Sequence, residues 1–338
     1  MNRTALPDAN ALASQVALGE RAAVATALNL LDDRRQKPRQ LAHALLEHLY
    51  LQQKTPRGHL IGITGPPGAG KSSLTAALIH VWRQRGLRVA VLAVDPSSPV
   101  SGGALLGDRL RMKTSAGDDG VFVRSLACRG EFGGLSAEVW PMSQVMLAAF
   151  DITVIETVGV GQREVDVADM CDSTCYVAQP GSGDSIQFLK AGILEVPHVL
   201  VVNKEDMGAV ARRTLSELGT AMGREHGDGQ WQVTVLSASA TRGTGIEALA
   251  DALQRHLTLL QDQQQLAGRR QQYQSRWIYK RLQEEFGTAG IRYLGGKNAI
   301  TAALQQAAQS GFTQYDHFRE RLKSLYRQND ADNNLLKM

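Results

Sequence analysis

An eight-residue segment between a predicted strand and a predicted helix constrains this chain more than any other part of it. The segment runs from Gly65 to Ser72 (GPPGAGKS), fits G-x-x-x-x-G-K-[ST] at every fixed position, follows LIGIT and precedes SSLTAALIHVWRQ. Its glycines let backbone N–H groups converge on phosphate oxygens, and the following helix points its positive end at the same place. Lys71 can contact the β- and γ-phosphates, and Ser72 can ligate Mg²⁺. The segment therefore predicts a nucleoside triphosphate site formed by Gly65, Pro67, Gly68, Ala69, Gly70, Lys71, Ser72 and Ser73.

Short apolar runs alternate with helical segments from residue 59 to about 260. The runs are HLIGITG, RVAVLAVD, DITVIE, STCYVAQ, HVLVVNK and VTVLSAS. Several are apolar throughout, as expected for strands of a parallel sheet that helices cover on both faces. The flanking segments, 1–57 and 261–338, have helical periodicity instead. The sequence therefore predicts an α/β fold, with a doubly wound, mostly parallel sheet in residues 58–260 and helical extensions before and after it.

A second motif indicates which base the site accepts. Asn203-Lys204-Glu205-Asp206 follows the run HVLVV and matches the N-K-x-D pattern of GTP-binding proteins. An aspartate at the last position can accept hydrogen bonds from N1–H and the exocyclic amine of guanine, a donor pair that adenine lacks. We expect Lys204 to lie along the base and Asn203 to brace the loop. Downstream, Ser237-Ala238-Ser239 resembles the loop whose backbone N–H receives guanine O6, so the predicted nucleotide is GTP or its product GDP.

Three acidic residues are candidate ligands for the Mg²⁺ that GTP hydrolysis needs. Asp95 follows the run RVAVLAV, Asp108 lies in SGGALLGDRLRM, and Glu156 follows DITVI. Carboxylate and hydroxyl oxygens suit Mg²⁺, so we predict that Ser72 and some of these acids hold it directly or through water. Ras-like proteins have D-x-x-G where this chain has Glu156 in ETVG, which excludes a plain Ras-type protein. No residue is an obvious general base.

Several motifs together resemble the MeaB/ArgK/MMAA family, GTPases of the SIMIBI class of P-loop proteins. The motifs are GPPGAGKS at 65–72, VDPSS at 94–98, GDR at 107–109, ETVGVGQ at 156–162, GSGD at 181–184 and NKED at 203–206. The resemblance covers about residues 59–250 and implies a P-loop GTPase domain. The segments 1–57 and 261–338 resemble the family's N-terminal helical extension and its C-terminal dimerisation arm, which implies a homodimer.

The resemblance also implies a function. Members act as G-protein chaperones that gate the loading of adenosylcobalamin into cobalamin-dependent acyl-CoA mutases and protect or reactivate these enzymes. Residues 115–140 (SAGDDGVFVRSLACRGEFGGLSAEVW) depart from the commoner family pattern, which leaves the client open. Methylmalonyl-, isobutyryl- and 2-hydroxyisobutyryl-CoA mutase are the candidates.

The resemblance further assigns roles to residues outside the nucleotide motifs. Asp184, Gln187 and Lys190 lie in the segment that matches the family's third switch, which implies that they pass the nucleotide state to the mutase. As residues alone, they also fit ordinary polar positions in a loop and at the start of a helix. Gln162 either orients the attacking water or only responds to the γ-phosphate. With Lys71 and Glu156 it completes the predicted catalytic set.

Two other activities of related proteins are alternatives. A metal-insertion GTPase for hydrogenase, urease or cobalt sites needs cysteine or histidine ligands near the P-loop, such as a C-x-C-C run or a His-rich tail, and the sequence has neither. A protein kinase acting on transport proteins, the activity attached to the ArgK name, would need a phosphoacceptor site. The sequence favours transfer to water over transfer to protein.

The excess positive charge lies in one part of the chain. Of 37 basic and 33 acidic residues, segment 251–338 holds 13 and 8. The basic residues there are interleaved with Glu and Gln, which is typical of a solvated helix face, so we expect a dimer or mutase contact and no nucleic acid. No apolar run approaches the roughly 18 residues of a membrane span, and MNRTALPDAN lacks the apolar segment of a signal peptide. We therefore expect a cytoplasmic protein with no membrane partner.

Overall fold

A computed structural model describes most of the chain and divides it into two compact units. The described residues are 7–33, 35–53, 58–96, 117–128, 138–157, 167, 170–181, 197–222, 231–306 and 310–335, with the side chains of 95, 96, 127, 128, 306 and 328–335 excluded. One unit is Pro56–Leu266, and the other combines Met1–Thr55 with Ala267–Met338. The functional motifs named above fall in the first unit.

The first unit is built on a seven-stranded sheet. The strands are β1 His59–Thr64, β2 Val89–Pro96, β3 Val121–Cys128, β4 Ile152–Thr157, β5 Ser173–Ala178, β6 Val199–Val202 and β7 Thr234–Ser237. Their order is β3-β2-β4-β1-β5-β6-β7, and every neighbouring pair is parallel. The predicted α/β fold with a doubly wound parallel sheet is confirmed.

Helices cover both faces of this sheet. They are α4 Lys71–Gln84, α5 Val139–Ala149, α6 Ala209–Met222 and α7 Ile246–Asp262. Alternate residues of a strand point to opposite faces, so Val199 and Val201 of β6 join the core that includes α4 and α7. Leu200 and Val202 face the other way, into the core that includes α6. Burial on both faces explains why these strands are apolar throughout.

Strand β3 is the one strand of the sheet that the apolar runs did not predict. It lies at the edge of the sheet and pairs only with β2. Arg124 and Ser125 interrupt its apolar sequence, and residues 123–125 are only partly buried. An edge strand has one neighbour and more solvent, so it tolerates polar residues that an apolar pattern search rejects.

The second unit is helical. Its helices are α1 Ala9–Ala17, α2 Arg21–Asp32, α3 Gln36–Gln52, α8 Leu266–Tyr293, α9 Gly296–Gln306 and α10 Gly311–Leu335, with Leu266 itself in the first unit. Helices α1 and α2 are separate, because Gly19 adopts φ +73 between them. Gly287 has non-helical φ and ψ (64, −171) and interrupts α8.

Residues from both ends of the chain form this helical unit. Buried Ile278, Leu282, Ile300, Tyr315 and Leu322 share one core. Helix α3 joins α10 through Glu47, which accepts hydrogen bonds from the hydroxyls of Ser310 and Thr313. The role of 261–338 as a dimerisation arm stays a prediction. Among the described residues, no helix combines the length and apolar character needed to cross a membrane.

Candidate nucleotide-binding site

The loop between β1 and α4 has a backbone that requires glycine at particular positions. Gly65, Gly68 and Gly70 have φ of +142, +78 and +89, a region that favours glycine. A Cβ on Gly65 would lie 2.3 Å from the carbonyl oxygen of Val177, and one on Gly70 would lie 2.5 Å from Nδ2 of Asn203. The loop therefore passes closer to its neighbours than any larger residue permits.

Lys71 places a buried positive charge inside this loop. It is the first residue of α4 and only 6% exposed, and its ammonium donates to the carbonyl oxygens of Gly65 at 2.7 Å and Pro66 at 2.9 Å. Gly70, the N-cap of α4, offers no side chain to occupy the first backbone N–H groups of the helix. An ammonium and the positive end of a helix thus converge where a phosphate would bind.

Two of the predicted Mg²⁺ ligands lie together beside the loop. The hydroxyl of Ser72, in the first turn of α4, donates to Oε1 of Glu156 at 2.5 Å. Glu156 lies near the end of β4 and is 3% exposed. A buried carboxylate next to a hydroxyl supplies the oxygen donors that Mg²⁺ prefers. These two residues, 84 positions apart in the sequence, therefore fit one metal site.

The remaining predicted switch and metal residues are described in part or not at all. The backbone of Asp95 lies in β2, one residue beyond Val94, which pairs with Thr157 of β4. Its side chain lies outside the described part of the chain. The other predicted residues outside the described ranges are Asp108, Gln162, Asp184, Gln187 and Lys190.

The N-K-x-D motif forms a tight turn after β6. Lys204 has a left-handed φ of +61, and a one-turn 3₁₀ helix, Glu205–Met207, follows. The side-chain amide of Asn203 donates to the carbonyl oxygen of Ala69 at 2.9 Å, and its Oδ1 accepts from the N–H of Ala240 at 3.3 Å. Asn203 therefore connects the phosphate loop to the loop that follows β7.

Asp206 is oriented by a serine from the loop after β7. Its Oδ1 accepts a hydrogen bond from the hydroxyl of Ser239 at 2.6 Å, and its side chain is exposed. That hydrogen bond, followed by one from its own backbone N–H, lowers the pKa of the Asp206 carboxyl below its ordinary value. The neighbouring Glu205 accepts instead from Ser237 at 3.3 Å and Thr244 at 3.0 Å.

In the loop after β7, several backbone N–H groups donate hydrogen bonds within the protein. The N–H of Ala238 donates to the carbonyl oxygen of Val202 and continues the sheet, and the N–H of Ser239 donates to Thr244, both at 2.9 Å. A turn begins at Ser239, and Ala240 follows with the long hydrogen bond to Asn203 described above. The sequence contains two consecutive Ser-Ala pairs, Ser237-Ala238 and Ser239-Ala240, and the first one belongs to the end of the sheet. The second pair, Ser239-Ala240, lies at the turn and is the part of the sequence that indicates it.

These groups meet at one edge of the sheet. The phosphate loop, Glu156 and the two base-site loops follow or end the strands β1, β4, β6 and β7. The carboxyl ends of parallel strands all lie at the same edge, where open α/β sheets bind their ligands. The arrangement offers a cationic phosphate cradle, oxygen donors for a metal and an ionised acceptor for a base.

Comparisons with known proteins agree with this site. Residues 24–290 match the family described as methylmalonyl-CoA mutase-associated GTPase MeaB. The GTPase ArgK of Escherichia coli is 36% identical over 274 residues, which cover 79% of this chain and 81% of ArgK. The mitochondrial methylmalonic aciduria type A homologue of Mus musculus is 34% identical over 280 residues, covering 79% of this chain and 67% of that protein. A crystal structure titled LAO/AO transport system kinase has a TM-score of 0.69 and 26% identity, and covers 95% of this chain and 100% of that one.

Proposed function

We propose that this chain, which belongs to the MeaB family of GTPases, couples GTP hydrolysis to cofactor loading of a cobalamin-dependent acyl-CoA mutase. The reaction is GTP + H₂O → GDP + phosphate. The observation that carries the proposal is the contact between the phosphate loop and the N-K-x-D turn through Asn203. This contact sets the distance between a triphosphate-binding loop and a guanine-binding carboxylate.

Lys71 and the loop amides hold the phosphates in this proposal. The Lys71 ammonium lies within hydrogen-bond distance of two loop carbonyls, so it is already at the centre of the loop. When a nucleotide binds, the Lys71 ammonium would move from these two carbonyl oxygens to β- and γ-phosphate oxygens. The phosphate oxygens are charged and therefore form stronger hydrogen bonds with it. The first turn of α4 adds backbone N–H donors.

Ser72 and Glu156 are the described residues that would hold Mg²⁺, with Asp95 and Asp108 as further proposed ligands. Their burial and their hydrogen bond support a site of oxygen donors for a hard cation. Held by these residues, Mg²⁺ would supply positive charge that offsets the negative charge developing during phosphoryl transfer. The residues of the chain orient the phosphates, and we propose that Gln162 positions the attacking water or senses the γ-phosphate. Slow intrinsic turnover follows, since no side chain is an obvious base.

The guanine base is bound by groups from two loops. The Asp206 carboxylate faces N1–H and the exocyclic amine, and Ser239 holds it in place. We propose Ala240 as the N–H donor to O6, because the N–H groups of Ala238 and Ser239 donate to backbone carbonyl oxygens at 2.9 Å, whereas that of Ala240 donates to the Asn203 side chain at the longer distance of 3.3 Å. The Lys204 side chain lies along the base.

Coupling to the mutase is proposed to run through the loop that begins at Gln179. The side chain of Gln179 lies close to the phosphate loop, since a Cβ on Gly68 would be 3.5 Å from its Oε1. Two residues later, the N–H of Gly181 donates to Thr214 of α6. The start of this loop thus contacts both the phosphate loop and a helix. Asp184, Gln187 and Lys190 follow in the sequence and are the proposed mutase-coupling residues.

A homodimer through 261–338 is part of the proposal. Two tyrosines near the ends of α8 and α10, Tyr293 and Tyr326, are 51% and 37% exposed and contact each other edge to face. Exposed aromatic side chains are enriched in protein interfaces. They support a contact on this part of the helical unit.

Capture of a purified mutase tests the proposed client. We expect one of methylmalonyl-, isobutyryl- or 2-hydroxyisobutyryl-CoA mutase to bind the chain, with an affinity that differs between GDP and a non-hydrolysable GTP analogue. GTP hydrolysis can control the complex only if the GTP-bound and GDP-bound forms of the chain bind the mutase with different affinities. Biolayer interferometry with immobilised mutase measures both affinities. Failure of all three mutases to bind in either state would contradict the proposal.

Replacing Ser239 by alanine should raise the pKa of the Asp206 carboxyl towards its ordinary value of 3.8, because the Ser239 hydrogen bond is the main cause that lowers it. In the native chain the ionised form persists at more acidic pH. Guanine binding that depends on this form is lost as the pH falls through the pKa of the folded protein, and the variant loses it at higher pH. Carboxyl ¹³C NMR titration of labelled aspartate measures the midpoint.

The matched control is Ser237→Ala. The Ser237 hydroxyl donates to Glu205 and not to Asp206, so the Asp206 midpoint should stay unchanged in this variant. An Asp206 midpoint that is equal in Ser239→Ala and the native chain would show that another group sets the charge of the base-binding acid.

A further inference from the structure

The helical unit contains a polar cleft between α3 and α10. Four α3 residues line it, namely Gln36, Arg39, Gln40 and His43, and its volume is about 530 Å³. Their spacing is i, i+3, i+4 and i+7, so they share one face of the helix. Such a stripe is ordinarily apolar when it faces another helix. Here none of its members is apolar.

Helix α10 presents the same pattern from the other side. Its lining residues are Asp316, Arg319, Glu320 and Lys323, again at i, i+3, i+4 and i+7. The two facing stripes together contain eight polar side chains. Because neither stripe offers an apolar side chain to the other, a cleft lies here in place of a packed helix contact. A cleft of this volume falls within the range of small-molecule sites.

The cleft has a fixed inner end. The two helices run antiparallel. Glu47 accepts hydrogen bonds from the hydroxyls of Ser310 and Thr313, and one turn further along the helices His43 pairs with Asp316. The His43 ring also packs against Phe312, 5.5 Å between ring centroids. These contacts hold the two helices together on one side of the cleft, so its walls are preorganised.

The cations that line the cleft differ in whether they form an ion pair. Arg319 donates a hydrogen bond from Nε to Oε1 of Glu285 in α8 at 2.6 Å. Lys323 forms an ion pair with Glu320 at 2.9 Å. Arg39 is partly buried, and no carboxylate of the described residues lies within ion-pair distance of its guanidinium. The lining carries three cations, Arg39, Arg319 and Lys323, against two carboxylates, Asp316 and Glu320, and Glu285 beside it interacts with the charges of both arginines.

We propose that this cleft binds a small hydroxylated organic anion whose phosphate or carboxylate group contacts Arg39. A guanidinium binds such oxyanions through two parallel hydrogen bonds, and Arg319 adds positive charge from the facing helix. The amides of Gln36 and Gln40 and the carboxylate of Glu320 complement hydroxyl groups on the remainder of the ligand. The site is independent of the nucleotide site and of the proposed mutase function.

Calorimetric titration of the full-length protein tests the proposal. The protein is saturated with GDP, so that the phosphate loop is occupied, and glycerol 3-phosphate and glycerate are added at millimolar concentration. We expect at least one of them to bind saturably and glycerol not to bind. Arg39→Gln should weaken that binding about 10-fold or more, because a hydrogen bond to a charged group is lost. The matched control is Lys37→Gln, an exposed cation on the same helix outside the cleft.

The two probes separate the possible ligand sources. Binding of glycerol 3-phosphate alone assigns a phosphorylated ligand, and binding of glycerate alone assigns a carboxylated one. Arg39→Lys replaces Arg39→Gln if the latter lowers the unfolding temperature, since lysine keeps the positive charge but cannot form the two parallel hydrogen bonds of a guanidinium, and it should also weaken the binding. Absence of binding by both probes, or equal binding by the native chain and the cleft variants, would overturn the proposal.

Discussion

Replacing Lys71 by alanine should reduce GTP hydrolysis by about 10²–10³-fold or to below detection, because a preorganised charge that stabilises the transferring phosphoryl group is removed. The Lys71 ammonium is buried and lies inside the phosphate loop, so no other described side chain occupies that position. Release of phosphate from γ-labelled GTP under single-turnover conditions measures the rate. Unchanged turnover would refute the assignment of this loop.

Two controls sharpen the Lys71 experiment. Lys37→Ala removes an exposed cation from the helical unit and should leave the rate unchanged. Circular dichroism checks that the Lys71 variant is folded, because the carbonyl groups of Gly65 and Pro66 lose their donor. The same assay tests the kinase alternative. Label that stays on protein, and is not released as phosphate, would favour phosphoryl transfer to a protein acceptor.

The parts of the site that could be predicted from sequence are those that depend on short contiguous patterns. The phosphate loop is such a pattern, since strand, glycines, Lys71 and helix follow one another within a few residues. The N-K-x-D turn is another. The apolar runs likewise predicted the central strands, because burial on both faces of a parallel sheet leaves a continuous apolar sequence.

The parts that could not be predicted depend on hydrogen bonds between distant residues. The segment Ser237-Ala238-Ser239 does not itself show which of its N–H groups are engaged, because only the pairing of Ala238 with Val202 reveals where β7 leaves the sheet. The sharing of one helical unit by both ends of the chain rests on contacts such as Glu47 with Ser310, 263 positions apart. Edge strand β3 has Arg124 and Ser125 in its middle and therefore lacks a continuous apolar run.

Replacing Asp206 by asparagine should shift the nucleotide preference from GDP towards XDP. The carboxylate accepts from the two donors of guanine, whereas an amide nitrogen is itself a donor and matches the carbonyl at position 2 of xanthine. The asparagine Oδ1 can keep the hydrogen bond from Ser239, so the side chain stays in place. A bidentate base contact is worth about 1–3 kcal/mol, so we expect GDP affinity to fall about 10–100-fold. Fluorescent-nucleotide displacement measures both affinities.

Glu205→Gln is the matched control for this exchange. Glu205 is the neighbouring acid of the same turn, and its carboxylate accepts from Ser237 and Thr244, so amidation there should leave the base preference unchanged. A preference that moves in both variants would mean that the loss of negative charge, and not the geometry of hydrogen-bond acceptors, controls recognition. A preference that moves in neither would place the base outside this turn. Only a shift confined to Asp206→Asn assigns guanine recognition to the carboxylate that Ser239 orients.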